Sequence, residues 1–244
     1  MYKRQAKYFE EKGFKVDAVK EGAGNGTASA LSFGTGGESG TYYAFGGVLA
    51  SFVSGKSDCK VTALTSGGSQ ANVEDLTNGN VQLAFVQSDV MNYAYNGQRL
   101  FDSPVTGFSV VAQLYQEQVQ IVTTNPDIKT VADLAGKKVS IGAAGSGVYF
   151  NAIDVLSAYD LKESDISAVY QSFGDSAESL KDGKIDAAFT VAGAPTTSIT
   201  ELDATAEFDM ISLTPEAVEY LTTNYPFLVQ EDLPAGTYPN NIDY

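Results

Sequence analysis

Three glycine-rich stretches carry the groups best suited to hold a ligand. They are Gly34-Thr35-Gly36-Gly37-Glu38-Ser39-Gly40-Thr41-Tyr42-Tyr43, Thr65-Ser66-Gly67-Gly68-Ser69 and Gly145-Ser146-Gly147-Val148-Tyr149. Their glycines let a ligand approach the backbone, and their Ser and Thr hydroxyls add donors and acceptors. Each stands where an apolar run gives way to a helical pattern. A loop so placed aims several N–H groups and a helix dipole at one spot, which favours an anion or a carboxylate. A tight strand-to-helix turn also needs glycine for geometry alone, so one such loop by itself leaves both readings open.

Other chemistry is scarce. The 244 residues include no His and one Cys, Cys59. His-based triads, His metal sites, multi-Cys metal sites and an internal disulfide are therefore excluded. Cys59, between Asp58 and Lys60, reads as a structural thiol. No Gly-x-Ser-x-Gly elbow is present, and the glycine loops lack the Lys-Ser/Thr of a phosphate-binding loop. The first loop only approximates a dinucleotide fingerprint, and Leu64-Thr65-Ser66 stands where an acid would be needed. The formal net charge of −15 argues against nucleic acid and anionic membrane surfaces. No apolar run reaches the ~18 residues of a membrane span. Residues 1–20 are charged throughout, without the apolar core of a secretion signal. No catalysis, cofactor or metal is expected.

The elements that must position these loops alternate. Ala30-Leu31-Ser32-Phe33 reads as a strand before the first loop; Phe45, Val48, Leu49, Phe52 and Val53 follow at helical spacing. Residues 59–64 form the next strand, and the helix after the second loop runs to Asn78-Gly79, with Ser69 as N-cap and Asn72 at its third position. Residues 81–86 lead as a strand into Gln87-Ser88-Asp89, where Asp89 is the expected N-cap and Gln87 and Ser88 the better ligand candidates. Residues 108–115 and 118–122 read as further strands, and the stretch 109–122 is expected to carry the chain between lobes. Ala192-Gly193-Ala194-Pro195 ends a strand and opens a helix, with Gly193 lining the same cleft. A strand at 208–213, a helix from Pro215 to Thr223 and a Pro- and Tyr-rich tail complete the chain. This alternation predicts an α/β fold with mostly parallel sheets flanked by helices. Residues 1–30 read as a leader and linker outside the main fold.

The second half repeats the first. Ser146-Gly147-Val148-Tyr149-Phe150 echoes Ser39-Gly40-Thr41-Tyr42-Tyr43 after 107 residues. Residues 180–189 echo 76–85 after 104. Two motifs in the same order predict two α/β lobes of one plan: lobe one at 31–113, hinge and lobe two at 114–244. If the repeated loops face each other, the ligand lies between them at the strand C-termini. Thr35, Ser39, Thr41, Ser66, Ser69 and Ser146 then offer hydroxyls, and Gly36, Gly37, Gly67, Gly145 and Gly147 offer backbone N–H groups. Tyr42 and Tyr43 point about 100° apart on a helix, so one is expected in the core and one on the cleft wall. Tyr149 is the second-lobe counterpart.

Gly34-Thr35-Gly36-Gly37, Gly40-Thr41-Tyr42-Tyr43, Gly47 and Leu49-Ala50 resemble the opening of TAXI-type solute receptors of TRAP transporters. Thr65-Ser66-Gly67-Gly68-Ser69 with Asn72, Gln87-Ser88-Asp89, Gly145-Ser146-Gly147, Asp186-Ala187-Ala188-Phe189 and Ala235-Gly236-Thr237-Tyr238-Pro239 continue the resemblance in order, over roughly residues 31–244. The resemblance implies a type II periplasmic-binding-protein fold and a monomeric receptor, periplasmic or at the cell surface. It implies delivery of a small carboxylate such as glutamate or glutamine to TRAP membrane permease subunits. It also implies a secretion signal and a C-terminal return to lobe one, and neither is expected in this sequence. Val148 stands where the family often has Thr. The other large TRAP receptor class clamps its carboxylate with an arginine from lobe two. Here the only arginines are Arg4 and Arg99, the latter expected in a surface loop. An enzyme of nucleotide-dependent or group-transfer type, and a receptor serving an ABC permease or a sensor, are the alternative readings.

Overall fold

The structure, a computed structural model, describes residues 29–239. Nearly all of the expected leader lies outside the described residues. Strand β1, Ala30–Gly34, runs between β2, Lys60–Leu64, and β3, Leu83–Ala84, and is parallel to both. Parallel neighbours require crossover connections. Helices α1, Thr41–Lys56, and α2, Ser69–Asn78, supply them, and α3, Ser88–Asn96, follows β3. Gly79 and Gly97 end α2 and α3 in the left-handed region, at φ 76° and 61°.

The second sheet has the order β6-β5-β7-β4-β8. Its strands are β4 (Gln118–Thr123), β5 (Lys138–Ser140), β6 (Ser167–Val169), β7 (Ala187–Ala192) and β8 (Asp209–Met210). β5 is parallel to β6 and β7, while β4 is antiparallel to β7 and β8. Its helices are α4 (Val148–Ser157), α5 (Phe173–Lys181), α6 (Thr197–Asp203) and α7 (Pro215–Asn224). The Ser172 and Thr214 hydroxyls cap α5 and α7 by accepting from Asp175 N and Ala217 N.

The repeat read from the sequence is a repeat of structure. β1-α1-β2-α2-β3 corresponds to β5-α4-β6-α5-β7, with sheet orders β2-β1-β3 and β6-β5-β7. Helix starts at Thr41 and Val148 keep the spacing of 107, and those at Ser69 and Phe173 keep 104.

Several local expectations change. Residues 108–115 form no strand, because no neighbouring strand among the described residues offers them a ladder. The strand at 208–213 shortens to β8. In α1 the apolar residues surround the helix, and sheet one covers one side of it. Phe45, Val48 and Phe52 are exposed, while Gly46 and Ala50 are buried. Gly68, not Ser69, is the N-cap of α2, and Gln87, not Asp89, caps α3. Pro195 precedes the N-cap of α6, Thr196.

Candidate functional site

The first turns of α1, α2, α4 and α5 leave the C-terminal ends of their strands and meet along one seam between the lobes. They meet crosswise. Gly40 packs on the Phe173 ring at the start of α5, with 3.5 Å from an added methyl, and a methyl on Gly174 would meet Ser39 Oγ at 2.9 Å. A methyl on Gly67 would meet Ala144 O at 2.7 Å, and Ala71 N donates to Gly145 O at 3.0 Å. The loop before α1 thus faces the start of α5, and the loop before α4 faces the start of α2. This corrects the expectation that the two copies of the repeated loop face each other. A two-fold relation between the repeats brings each unit's first loop to the other unit's second loop.

The expected contact residues divide into two groups. Thr35, Ser66 and Asn72 tie lobe one together. Thr35 Oγ1 donates to Leu64 O (2.6 Å), Ser66 Oγ to Thr35 O (3.0 Å), and Asn72 Nδ2 to both Thr35 O and Phe85 O (2.7 Å each). Gly36 is buried among them, and Gly37 is exposed. Ser39, Thr41, Tyr42, Gly67, Ser69, Gln87, Gly145, Ser146, Gly147 and Gly193 come together at the seam. Thr41 Oγ1 donates to Gly193 O at 3.2 Å across it. Ser69 Oγ accepts from Gln87 N (3.1 Å) and lies 3.4 Å from Tyr42 Oη. Gln87 Nε2 donates to Asn151 Oδ1 at 2.8 Å, and a methyl on Gly147 would strike Gln87 Oε1. Of the tyrosine pair, Tyr42 turns to the seam and stacks near Phe85, with ring centroids 5.0 Å apart. Tyr43 is half-buried and Ser88 exposed. Tyr149 is not brought to the seam. One residue beyond Val148, it is rotated away on α4, and its phenol donates to Glu163.

Four side chains at the seam were not singled out as site residues from the sequence. Glu117 accepts a hydrogen bond from Tyr42 Oη at 3.0 Å. Burial pushes its carboxyl up to about 8, against the Tyr42 hydrogen bond and with the help of nearby Asp89. Tyr115 lies beside it, with a buried phenol oxygen that has no hydrogen-bond partner. Asp89 is buried and accepts from Val90 N (2.8 Å) and Asn151 Nδ2 (2.9 Å), a contact between lobes. Burial raises it to about 6, and those hydrogen bonds limit the rise. Asn151 joins both Gln87 and Asp89 to α4. One signal for Glu117 was available: it is the one acid between Asp102 and Asp127, in the stretch expected to cross between lobes.

Arg99 lies in an exposed turn, as expected, and it also pairs with buried Asp154 of α4 at 2.6 Å, with the Tyr93 and Tyr225 rings at 5.0 and 5.7 Å. A cavity of 1690 Å³ adjoins the seam. Tyr42, Gln87, Asp89, Tyr115, Glu117 and Asn151 form its polar end, and apolar side chains line much of the remainder. Among the described residues no cluster of three metal-ligating side chains occurs, and no helix is long and apolar enough to cross a membrane.

The folded chain is similar to several solved structures. One is the alkanesulfonate-binding protein SsuA from Xanthomonas axonopodis pv. citri bound to MOPS, with 18% identity over 82% of this chain and 69% of that one, at a TM-score of 0.54. Another is an ancestral arginine-binding protein bound to arginine, with 18% identity, 78% and 81% coverage, and a TM-score of 0.54. A third is an ABC transporter periplasmic binding protein from Brucella ovis with glutathione bound, with 13% identity, 75% and 58% coverage, and a TM-score of 0.51. These likenesses show the two-lobe periplasmic-binding-protein fold. The model of the NMT1-like family matches residues 33–244. With that match spanning most of its length, the chain belongs to the NMT1-like family.

Proposed function

We propose that the protein is an extracytoplasmic solute receptor that closes lobe one (31–113) and lobe two (114–244) on a small carboxylate-bearing metabolite of the glutamate or glutamine type. The observation that carries this reading is the seam itself, where helix N-termini from both lobes converge among hydroxyls and glycines. Helix N-termini favour an acid group, and glycine lets it reach the backbone N–H groups. Contacts to both lobes exist only when they are closed, so a ligand shifts the population towards closure. Ser39, Thr41, Ser69, Gln87 and Ser146 are the side chains we assign to the ligand. Ser146 Oγ is buried without a partner, as a hydroxyl awaiting a ligand would be.

The resemblance to TAXI-type receptors supports delivery to a TRAP permease from the periplasm or cell surface. Delivery to an ABC permease is the second reading, supported by the fold shared with the substrate binding protein of an amino acid ABC transporter. Membership of the NMT1-like family favours binding over catalysis. The test is a thermal-shift screen of amino acids, dicarboxylic acids and nucleotides, followed by small-angle scattering with the best solute. A carboxylate that raises the melting temperature and contracts the molecule supports the reading. A shift with nucleotides and none with carboxylates sinks it.

A further inference from the structure

The two lobes touch in two unlike ways. Along the loop before α1 the contacts are sparse. Thr41 Oγ1 reaches Gly193 O across the seam, and Gly37 and Glu38 beside it are exposed. Elsewhere α3 of lobe one meets α4 of lobe two in an apolar core. Val90 and Ala94 are fully buried there, and the rings of Tyr93 and Phe150 lie 5.5 Å apart between centroids. Phe227 of lobe two closes the same cluster, 6.2 Å from Tyr93. Polar ties join the two helices as well. Asn151 accepts from Gln87 Nε2 at 2.8 Å and donates to Asp89 at 2.9 Å, and Arg99 pairs with Asp154 at 2.6 Å.

Parting these regions costs unlike amounts. The glycine loops bring little apolar area to the seam, and water can take the place of their hydrogen bonds when they separate. Parting α3 from α4 would expose two aromatic rings to water and break the ion pair on the buried Asp154 carboxylate. An intermediate motion avoids that cost: lobe one turns about the α3–α4 contact and the loops alone separate. The chain allows it. Residues 103–117, which lead from lobe one to lobe two, form no helix or strand and can absorb the change in backbone angles.

We propose that the α3–α4 contact is a permanent pivot and that the loop Ser39–Thr41 is the part of the cleft that opens and closes. Gln87, Asp89 and Asn151 then stay joined in the open state, so one floor of the cleft, drawn from both lobes, is assembled before a solute arrives. Closure adds Ser39 and Thr41 over it. A floor held in place in this way lowers the ordering cost of binding. The cleft is that of the receptor reading above, on which the role of the motion rests, whereas the pivot itself is testable without any solute.

The experiment is pulsed electron–electron resonance on the full chain, with Cys59→Ser removing the native thiol and nitroxide labels on two pairs of exposed positions. Asn96 of α3 with Glu219 of α7 spans the pivot, and Ser51 of α1 with Lys181 of α5 spans the mouth. Gly67→Ala, whose methyl would meet Ala144 O, serves as the wedge. It should lengthen the Ser51–Lys181 distance by several ångströms and leave the Asn96–Glu219 distance as it was. Lengthening of both pairs together, of the pivot pair alone, or of neither overturns the proposal. Hydrogen exchange on the unsubstituted chain is the second measurement, needed where the wedge variant folds poorly. Amides of Val90–Ala94 should exchange at least about 10-fold more slowly than those of Val48–Phe52 in α1, because only the former stay covered when the cleft opens. Equal rates overturn the pivot. Neither measurement uses a solute, so failure here leaves the receptor reading to its thermal-shift screen, and failure of that screen leaves these results unchanged.

Discussion

The two lobes are built on one plan and packed to different depths. β7 is six residues long and buried along its whole length, because β4 lies beside it and completes the sheet. Its counterpart β3 has two residues, both half-buried, and its far edge pairs with no described strand. The core of lobe two includes Phe189, Val139, Ile141 and Leu156, all at 0% exposure. Lobe one has one cluster of Phe33, Ala50, Val61 and Phe85 at 4–7%, and its most deeply buried residues, Val73, Val90 and Ala94 at 0–1%, pack in a cluster with Phe150 of lobe two. The same β-α-β-α-β pattern thus yields a finished domain where two further strands close it. Without them it yields a shallower one with apolar α1 side chains in solvent. Local pattern specifies the unit, and neighbouring strands determine how much of it is buried.

The largest test of that contrast is truncation of matched phenylalanines. Phe189→Ala should cost about 3–5 kcal/mol of stability, and Phe85→Ala distinctly less, measured by urea unfolding. Equal losses would mean that the lobes are equally well packed. Next is the ion pair that ties the turn after α3 of lobe one to α4 of lobe two. Arg99→Gln strands the Asp154 carboxylate, whose side chain is 2% exposed, and should cost about 2 kcal/mol, less than a fully buried pair because the arginine is 30% exposed. A melting temperature unchanged by this substitution would show that the lobes do not rely on it.

The seam itself is tested by Gly67→Ala. Its methyl would meet Ala144 O at 2.7 Å, so closure should be opposed by about 1–3 kcal/mol while each lobe keeps its fold. Scattering should give a larger radius of gyration with unchanged circular dichroism, and an unaltered radius would place the lobe contact elsewhere. The last test is of pH. Glu117 and Asp89 have folded pKa values raised to about 8 and about 6, so between their ordinary values and these the native state binds more protons than the unfolded chain. Stability without ligand should fall as pH rises from about 4 to about 8, and level off above it. Glu117→Gln should flatten the upper part of that fall. A melting temperature that rises across the same range would contradict the assigned burial.

Much of the architecture was legible because it depends on near neighbours in the chain. Strand, glycine loop and helix start follow one another within about a dozen residues at Ala30–Thr41 and recur at Lys138–Val148. The spacing of the repeat survived folding because each copy builds the same local unit. The C-terminal glycines of α2 and α3 were legible for the same reason. The site was legible only in part. Hydroxyls could be found from their loops, but their direction could not. Thr35 and Asn72 turn inward to hold the loop, Tyr149 turns away, and Ser69 faces Tyr42. The strand expected at 108–115 failed for another reason: apolar residues in a row give a strand only where a partner edge is present.

The sequence alone determined the class of fold, the twofold repeat, the absence of His chemistry and the loops from which a cleft is made. These depend on composition, period and turn residues, all short-range properties. Tertiary structure decided which loops meet. The crosswise pairing of helix starts, the Arg99–Asp154 bridge across 55 residues and the approach of Tyr42 to Glu117 across 75 arise from docking one lobe on the other. Residue spacing along a single unit carries no information about that docking. The polar end of the cavity therefore emerged only when both lobes were folded and in contact.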